Sequence, residues 1–231
     1  MKKTLDSFEV IFVSGVIGFF DIIILFELRI TRILTKIYKN ILTITQKKGA
    51  VMRKDIKLYV PKLDEMEYRQ IFLLQPGTMD YNKGYEINHE NYHKDTGCID
   101  FPKSQWESWY HLWVNNKPNC FYAYIKRTED SQFMGEVNIH YNQECEWYEM
   151  GIVIEEKYRG KGYSTDALRL LLKVAFEEYN ANGVHNNFEY SKHTAIKAHI
   201  DSGFRIIDHN EGNVDVYISR TQYFDHISRS A

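Results

Sequence analysis

The segment Glu149–Ser164, EMGIVIEEKYRGKGYS, constrains this chain more than any other. A strand-like run leads into Arg159-Gly160-Lys161-Gly162-Tyr163-Ser164. Helical spacing then begins at once, with Ala167, Leu168, Leu171, Leu172, Ala175 and Phe176 recurring at three and four. A strand that turns on glycines straight into a helix presents the free N–H groups of the first helical turn, which carry partial positive charge. The glycines let a ligand approach the backbone without meeting a Cβ, and Arg159 and Lys161 add full charge. A diphosphate is the natural guest of such a turn. The Walker phosphate loop is excluded, because GxxxxGK followed by Ser or Thr is absent. The dinucleotide fingerprint GxGxxG is excluded too, since Thr165 stands where its third glycine belongs. An ordinary tight strand–helix connection is the alternative reading of an isolated RGKG.

Around this segment the chain alternates between strand-like and helical patterns. Asp55–Val60 reads as a short strand, and Leu63–Leu74 has helical spacing with Asp64 as a candidate cap. A polar, irregular stretch from Gln75 to Phe101 follows, and Pro102 opens a second helix bearing Trp106, Trp109, Tyr110 and Trp113. Cys120–Lys126, Phe133–Tyr141 and Cys145–Ile154 read as strands joined by short turns. The helix from Ser164 is expected to run to about Asn180 and to stop at Asn182-Gly183. A strand at Val184–Tyr190, a short helix at Thr194–Asp201, and strands at Phe204–Ile207 and Val214–Ile218 complete the plan. Hairpins first and one strand–helix–strand crossover in the middle predict an α/β fold with a mixed, mostly antiparallel sheet flanked by helices.

With these elements placed, the chain resembles the GNAT superfamily of N-acetyltransferases over roughly Asp55 to Tyr223. That family's signature is Gln or Arg, two residues, Gly, one residue, then Gly or Ala. Here it reads Arg159, Gly162 and Ser164, with a small Ser at the last position. The family's second segment, a helix ending in Gly-Phe, is matched by Ala195 to Phe204, AIKAHIDSGF. The resemblance implies acetyl-CoA as cosubstrate; the residues themselves offer no metal site, since no His pairs with Cys at zinc spacing. The resemblance also implies that the strand before the glycine turn splays from its neighbour, here Trp147–Ile154 from Val184–Tyr190, so that backbone groups around Met150, Ile152 and Ile154 can hold the pantetheine arm. Residues Arg159, Gly160, Lys161, Gly162, Tyr163 and Ser164 would hold the pyrophosphate.

Transfer to an amine needs a neutral nucleophile, and an ammonium with a pKa near ~10 must first lose a proton. Family members often place a Glu on the strand before the glycine turn, and Glu149 stands there. Alternation puts it on one face with Trp147 and Gly151, with Met150, Ile152 and Ile154 on the other. Beside an aromatic wall its pKa is expected to rise. Glu136 is a second candidate base. The family's general acid is often a Tyr in its last helix, where this chain has His199; Tyr190 is another option. The family's frequent Asn at the start of that helix is replaced by Ser191-Lys192. Transfer by proximity alone needs no dedicated acid.

Acceptor recognition is expected from Thr78 to Trp113, which interleaves Tyr81, Tyr85, Tyr92, Trp106, Trp109 and Trp113 with Asp80, Glu86, Glu90, Asp95 and Asp100. Aromatics with acids suit a cation, as a small-molecule amine or a protein amine. The same Trp and Tyr spacing equally describes core packing. A formal net charge of -2 disfavours nucleic acid. Neither HExxH nor GxSxG is present, so zinc-protease and Ser-hydrolase chemistry have no support. The rival reading is a non-catalytic module of the same fold that binds or senses coenzyme A.

Residues 1–51 read differently from 52–231. Val10–Phe26 is a near-continuous apolar run broken by Asp21, flanked by Lys2 and Lys3 before and Arg29, Arg32, Lys36 and Lys39 after. As a membrane anchor it would leave the following domain cytoplasmic. Alternatively it packs on the domain, or it is upstream sequence read in frame. Codons for Lys47 to Val51 can contain a purine-rich ribosome-binding tract just before Met52. A cytoplasmic domain, tethered if the extension is a true anchor, is the expectation.

Overall fold

The computed structural model describes residues 55–210 and 212–230. The readings of residues 1–51 lie outside them. Among the described residues no helix is long and apolar enough to cross a membrane.

Among the described residues seven strands form one sheet: β1 (Ile56–Tyr59), β2 (Cys120–Arg127), β3 (Phe133–Asn142), β4 (Trp147–Ile154), β5 (Gly183–Glu189), β6 (Arg205–Asn210) and β7 (Asn213–Ser219). Their order is β1-β2-β3-β4-β5-β7-β6, antiparallel at every junction except β4–β5. The mixed, mostly antiparallel sheet read from the sequence is therefore the one observed. Helices α1 (Glu67–Leu73), α2 (Pro76–Met79), α3 (Trp106–Trp113), α4 (Tyr163–Lys173), α5 (His193–Asp201) and α6 (Arg220–Ser230) flank it.

Strand alternation sorts side chains to two cores. On one face Val137, Ile139, Tyr148, Met150 and Ile154 pack with Ala167, Leu168, Leu171 and Leu172 of α4, Ala198 of α5 and Tyr223 of α6. Each such leucine, fully buried, contributes about 1.5–3 kcal/mol. On the opposite face Tyr122 and Tyr124 meet Phe72 and Leu73 of α1, Met79 of α2 and Trp106 of α3. The aromatic stretch before β2 is thus largely packing: Trp109, Tyr110 and Trp113 all lie against this second core.

Local details depart from the sequence expectation for identifiable reasons. The first helix begins as a 3-10 turn at Leu63–Met66, and Asp64 does not cap it. Instead the Lys62 N–H donates to Glu65 Oε2 at 2.8 Å. The long helix changes to a π turn over Val174–Glu178. It ends at Glu178 with Tyr179 as C-cap, and Asn180 just beyond takes a left-handed φ of 53°. Gly183 belongs to β5; a Cβ there would stand 2.1 Å from the Tyr217 hydroxyl. Helix α6 opens on a capping box. Gln222 Oε1 accepts from the Ser219 N–H at 2.9 Å, and Ser219 Oγ accepts from the Gln222 N–H at 3.2 Å.

Candidate active site

Strands β4 and β5 pair only at Tyr148↔Val184 and Glu149↔His185. Beyond that point β4 keeps its antiparallel partner β3 as far as Gly135↔Ile154, while β5 keeps β7 as far as Glu189↔Asn213. The two halves of the sheet therefore part at Glu149. Buried Met150 and Ile154 point into the core under α4. Their side chains hold the strand while the backbone edge toward β5 is left to line a cleft.

Along the chain, β4 leads through the 3-10 turn Glu156–Tyr158 into the glycine turn. Gly160 and Gly162 have φ of 73° and 85°, and no atom lies within 4 Å of where a Cβ would stand on either. Gly162 is the N-cap of α4, and no side chain caps the helix. Tyr163 is buried and Ser164 half-buried, so Tyr163 can offer a ligand only its backbone. Open space beside left-handed glycines, at the positive end of a helix, fits a diphosphate.

Arg159 does not stand ready for an anion as the sequence suggested. Its guanidinium donates to the Ile154 carbonyl at 3.0 Å, to Asp80 Oδ1 at 3.0 Å and to the Thr78 carbonyl. It thereby ties the end of β4 to the start of the irregular stretch. That stretch reaches the β5 side as well, through the Tyr85 hydroxyl to Glu189 and Lys192 Nζ to the Tyr81 carbonyl. Lys161 Nζ donates to the Lys157 carbonyl at 3.0 Å, in its own loop.

Glu149 sits where the strands part. Its Oε2 contacts His185 Nδ1 at 2.6 Å, and its Oε1 accepts the Trp147 indole N–H at 2.7 Å. Asn142 approaches Oε1 at 3.4 Å. Burial pushes the carboxyl up, but the hydrogen bonds from His185 and Trp147 and the charge of His185 outweigh it, so the pKa is lowered. The expected rise is thus corrected: Trp147 faces Glu149 with its N–H donor, not with an apolar wall. His185 Nε2 in turn meets Asp215 Oδ1 at 2.9 Å. Sequence reasoning missed His185 and Asp215. The alternation of polar His185, Asn187 and Glu189 along β5 was a signal that this face of the strand is not core.

The remaining candidates take other places. Glu136 is 5% exposed and bound by Arg69 and the Tyr122 hydroxyl. The Arg69 guanidinium lies 4.2 Å from the Trp109 ring centre. A carboxylate so enclosed is a buried ion pair, not a base facing a substrate. His199 is 2% exposed. Its Nδ1 donates to the Ala195 carbonyl at 2.8 Å and its Nε2 accepts from Asn186 at 3.1 Å. Phe188 and Phe204 cover the ring at 4.9 and 5.0 Å. Burial pushes its pKa down to about 4, against the hydrogen bond to Ala195. A neutral, enclosed imidazole has no proton to give near pH 7, so His199 is corrected from candidate acid to packing residue. Tyr190 is exposed, with its ring against His209 at 4.1 Å.

Comparisons with known proteins bear on the family and the fold. A family model described as acetyltransferase (GNAT) domain matches residues 63–205, more than half of the chain. No curated protein matches by sequence. Among solved structures, the chain is similar to spermidine N-acetyltransferase from Vibrio cholerae in complex with CoA and spermine. That likeness has a TM-score of 0.59 and 15% identity, and covers 74% of this chain and 99% of the other. A GNAT-family acetyltransferase from Bacillus anthracis gives 0.55 and 15%, covering 73% and 96%. A nucleotide-linked sugar GNAT gives 0.56 and 15%, covering 76% and 92%. At such identities the likeness is one of fold.

Proposed function

The chain belongs to the GNAT acetyltransferase family, and from that premise we propose that it transfers an acetyl group from acetyl-CoA to a primary amine, with Glu149 as general base. The observation that carries the reading is the parting of β4 from β5 at Glu149, followed along the chain by the open glycine turn at the start of α4. The backbone of Met150, Ile152 and Ile154 would hold the pantetheine arm. The N–H groups from Gly160 to Ser164 would hold the diphosphate, with Lys161 contributing charge at its rim. Bound acetyl-CoA would supply the thioester carbon that the amine attacks, with the C–S bond breaking and coenzyme A leaving as its thiolate. Glu149 takes the proton that the amine sheds as it attacks. A carboxyl below its usual range is a weak base toward a free ammonium. Its work therefore falls on a nitrogen already made acidic by bond formation.

Carboxylates at Glu149 and Asp215, beside the indole of Trp147, suit a cationic acceptor. The Vibrio relative's name makes an aliphatic polyamine the first acceptor to try, and an amino sugar follows from the sugar-linked one. A cytoplasmic location belongs to the same proposal, and cell fractionation tests it.

One observation favours the second reading, a non-catalytic coenzyme A-binding module: enclosed His199 occupies the helix position where the resemblance looks for a proton donor. Calorimetric titration with acetyl-CoA, followed by thiol-release assays on spermidine and a panel of amines, separates the two. Saturable binding with turnover that collapses in Glu149→Gln supports the transferase. Binding without transfer to any amine supports the module, and absence of binding by folded protein overturns both.

A further inference from the structure

Glu149 and His185 form the last backbone pair before β4 and β5 separate. The same two residues are joined again through their side chains at 2.6 Å, and His185 reaches Asp215 on β7 at 2.9 Å. Three neighbouring strands thus each contribute one member to a chain of hydrogen bonds across the sheet. Trp147 closes it from above. Its ring stacks on His185, with centroids 4.9 Å apart and planes at 25°, while its N–H holds the other Glu149 oxygen. Asn187 Nδ2 donates to Asp215 Oδ1 at 2.9 Å. Ionised carboxylates only accept, so a neutral His185 can donate to one of them and an imidazolium to both.

We propose that His185 is a positioning residue for Glu149, held in turn by Asp215, and that the three act as one unit fixing the base at the point where the cleft opens. This rests on the reading of Glu149 as base. A glutamate on a strand otherwise samples several rotamers; held at both oxygens, Glu149 is restricted to one. The groups around the carboxylate are His140, opposite it on β3, Asn142 and Trp147 at the same hairpin, His185 on β5 and Asp215 on β7. Trp113 approaches His140 edge-on at 5.5 Å. Among the groups bonded to Glu149, His185 alone can bring positive charge, and its hydrogen bond and charge oppose the effect of burial on the carboxyl.

The test follows the Glu149 side-chain carboxyl by carbon NMR across pH in the full chain, with the signal assigned by its loss in Glu149→Gln. His185→Gln removes the imidazole, and His185→Phe keeps a flat ring under Trp147 as a second variant. Both should move the Glu149 midpoint upward, because burial is then opposed only by the bonds from Trp147 and Asn142. With spermidine as probe amine, kcat should fall on the order of a hundredfold. The acid limb of kcat/KM should move up with the NMR midpoint, and KM for acetyl-CoA should hold. A purely structural role would lower the melting temperature without moving that limb. An unchanged Glu149 midpoint in either folded variant overturns the proposal. Full activity of Glu149→Gln instead overturns the reading of Glu149 as base. Where spermidine is not acetylated, the NMR midpoint decides alone.

Discussion

Lowering the pH from 7 to 5 should cost the folded protein about 2 kcal/mol through His199 alone. The imidazole is lowered from its ordinary 6.5 to about 4 by burial. In the unfolded chain it takes a proton as pH falls through 6.5, whereas the folded chain resists until about 4. The unfolded state therefore binds more protons in that window. Stability is full above 6.5 and is lost progressively as pH falls toward 4. Integrating the difference gives about 2 kcal/mol at pH 5 and a limit of about 3 kcal/mol for the whole shift. His199→Gln removes the titration while leaving an amide able to donate to the Ala195 carbonyl. The variant loses packing against Phe188 and Phe204, so its stability at pH 7 falls. The readout is the difference between pH 7 and pH 5, measured by urea denaturation. Carboxylates contribute alike to both proteins and cancel, so wild type should lose about 2 kcal/mol more than the variant. Equal losses would refute the reasoning, as would an imidazole NMR signal titrating near 6.5. Either result would mean a solvated ring that carries a proton near neutrality, and a proton-donor role for His199 would reopen.

Gly162→Glu places a carboxylate in the glycine turn and a side chain at φ 85°. It should abolish acetyl-CoA binding in calorimetry, with a fold destabilised by only about 1–2 kcal/mol; retained binding would remove the turn from the cofactor site. Arg69→Met leaves Glu136 charged in a buried, aromatic enclosure and should cost about 3–5 kcal/mol in urea denaturation, while adding Glu136→Leu should restore most of it. Asn180→Gly should stabilise the chain by about 1 kcal/mol, read as a raised denaturation midpoint, because it relieves a left-handed φ of 53° at the helix end.

Much of the scaffold is legible in the sequence because it depends on local order. Alternation along Trp147–Ile154 determined which side chains enter the core, and Met150 and Ile154 do so. The three-and-four spacing of Ala167 to Phe176 determined a helix with one apolar face, and the glycines at 160 and 162 determined an open turn before it. The Ser219-x-x-Gln222 box that opens α6 is equally local. Partners distant in sequence were decided by the sheet order alone. No spacing rule brings Glu149, His185 and Asp215 together; they meet because β5 inserts between β4 and β7. The same packing sent Arg159 to Asp80, enclosed Glu136 with Arg69, and buried His199 under two phenylalanines. Sequence patterns report what a residue offers to its own helix or strand, whereas charge state and availability depend on which distant groups desolvate or bond it.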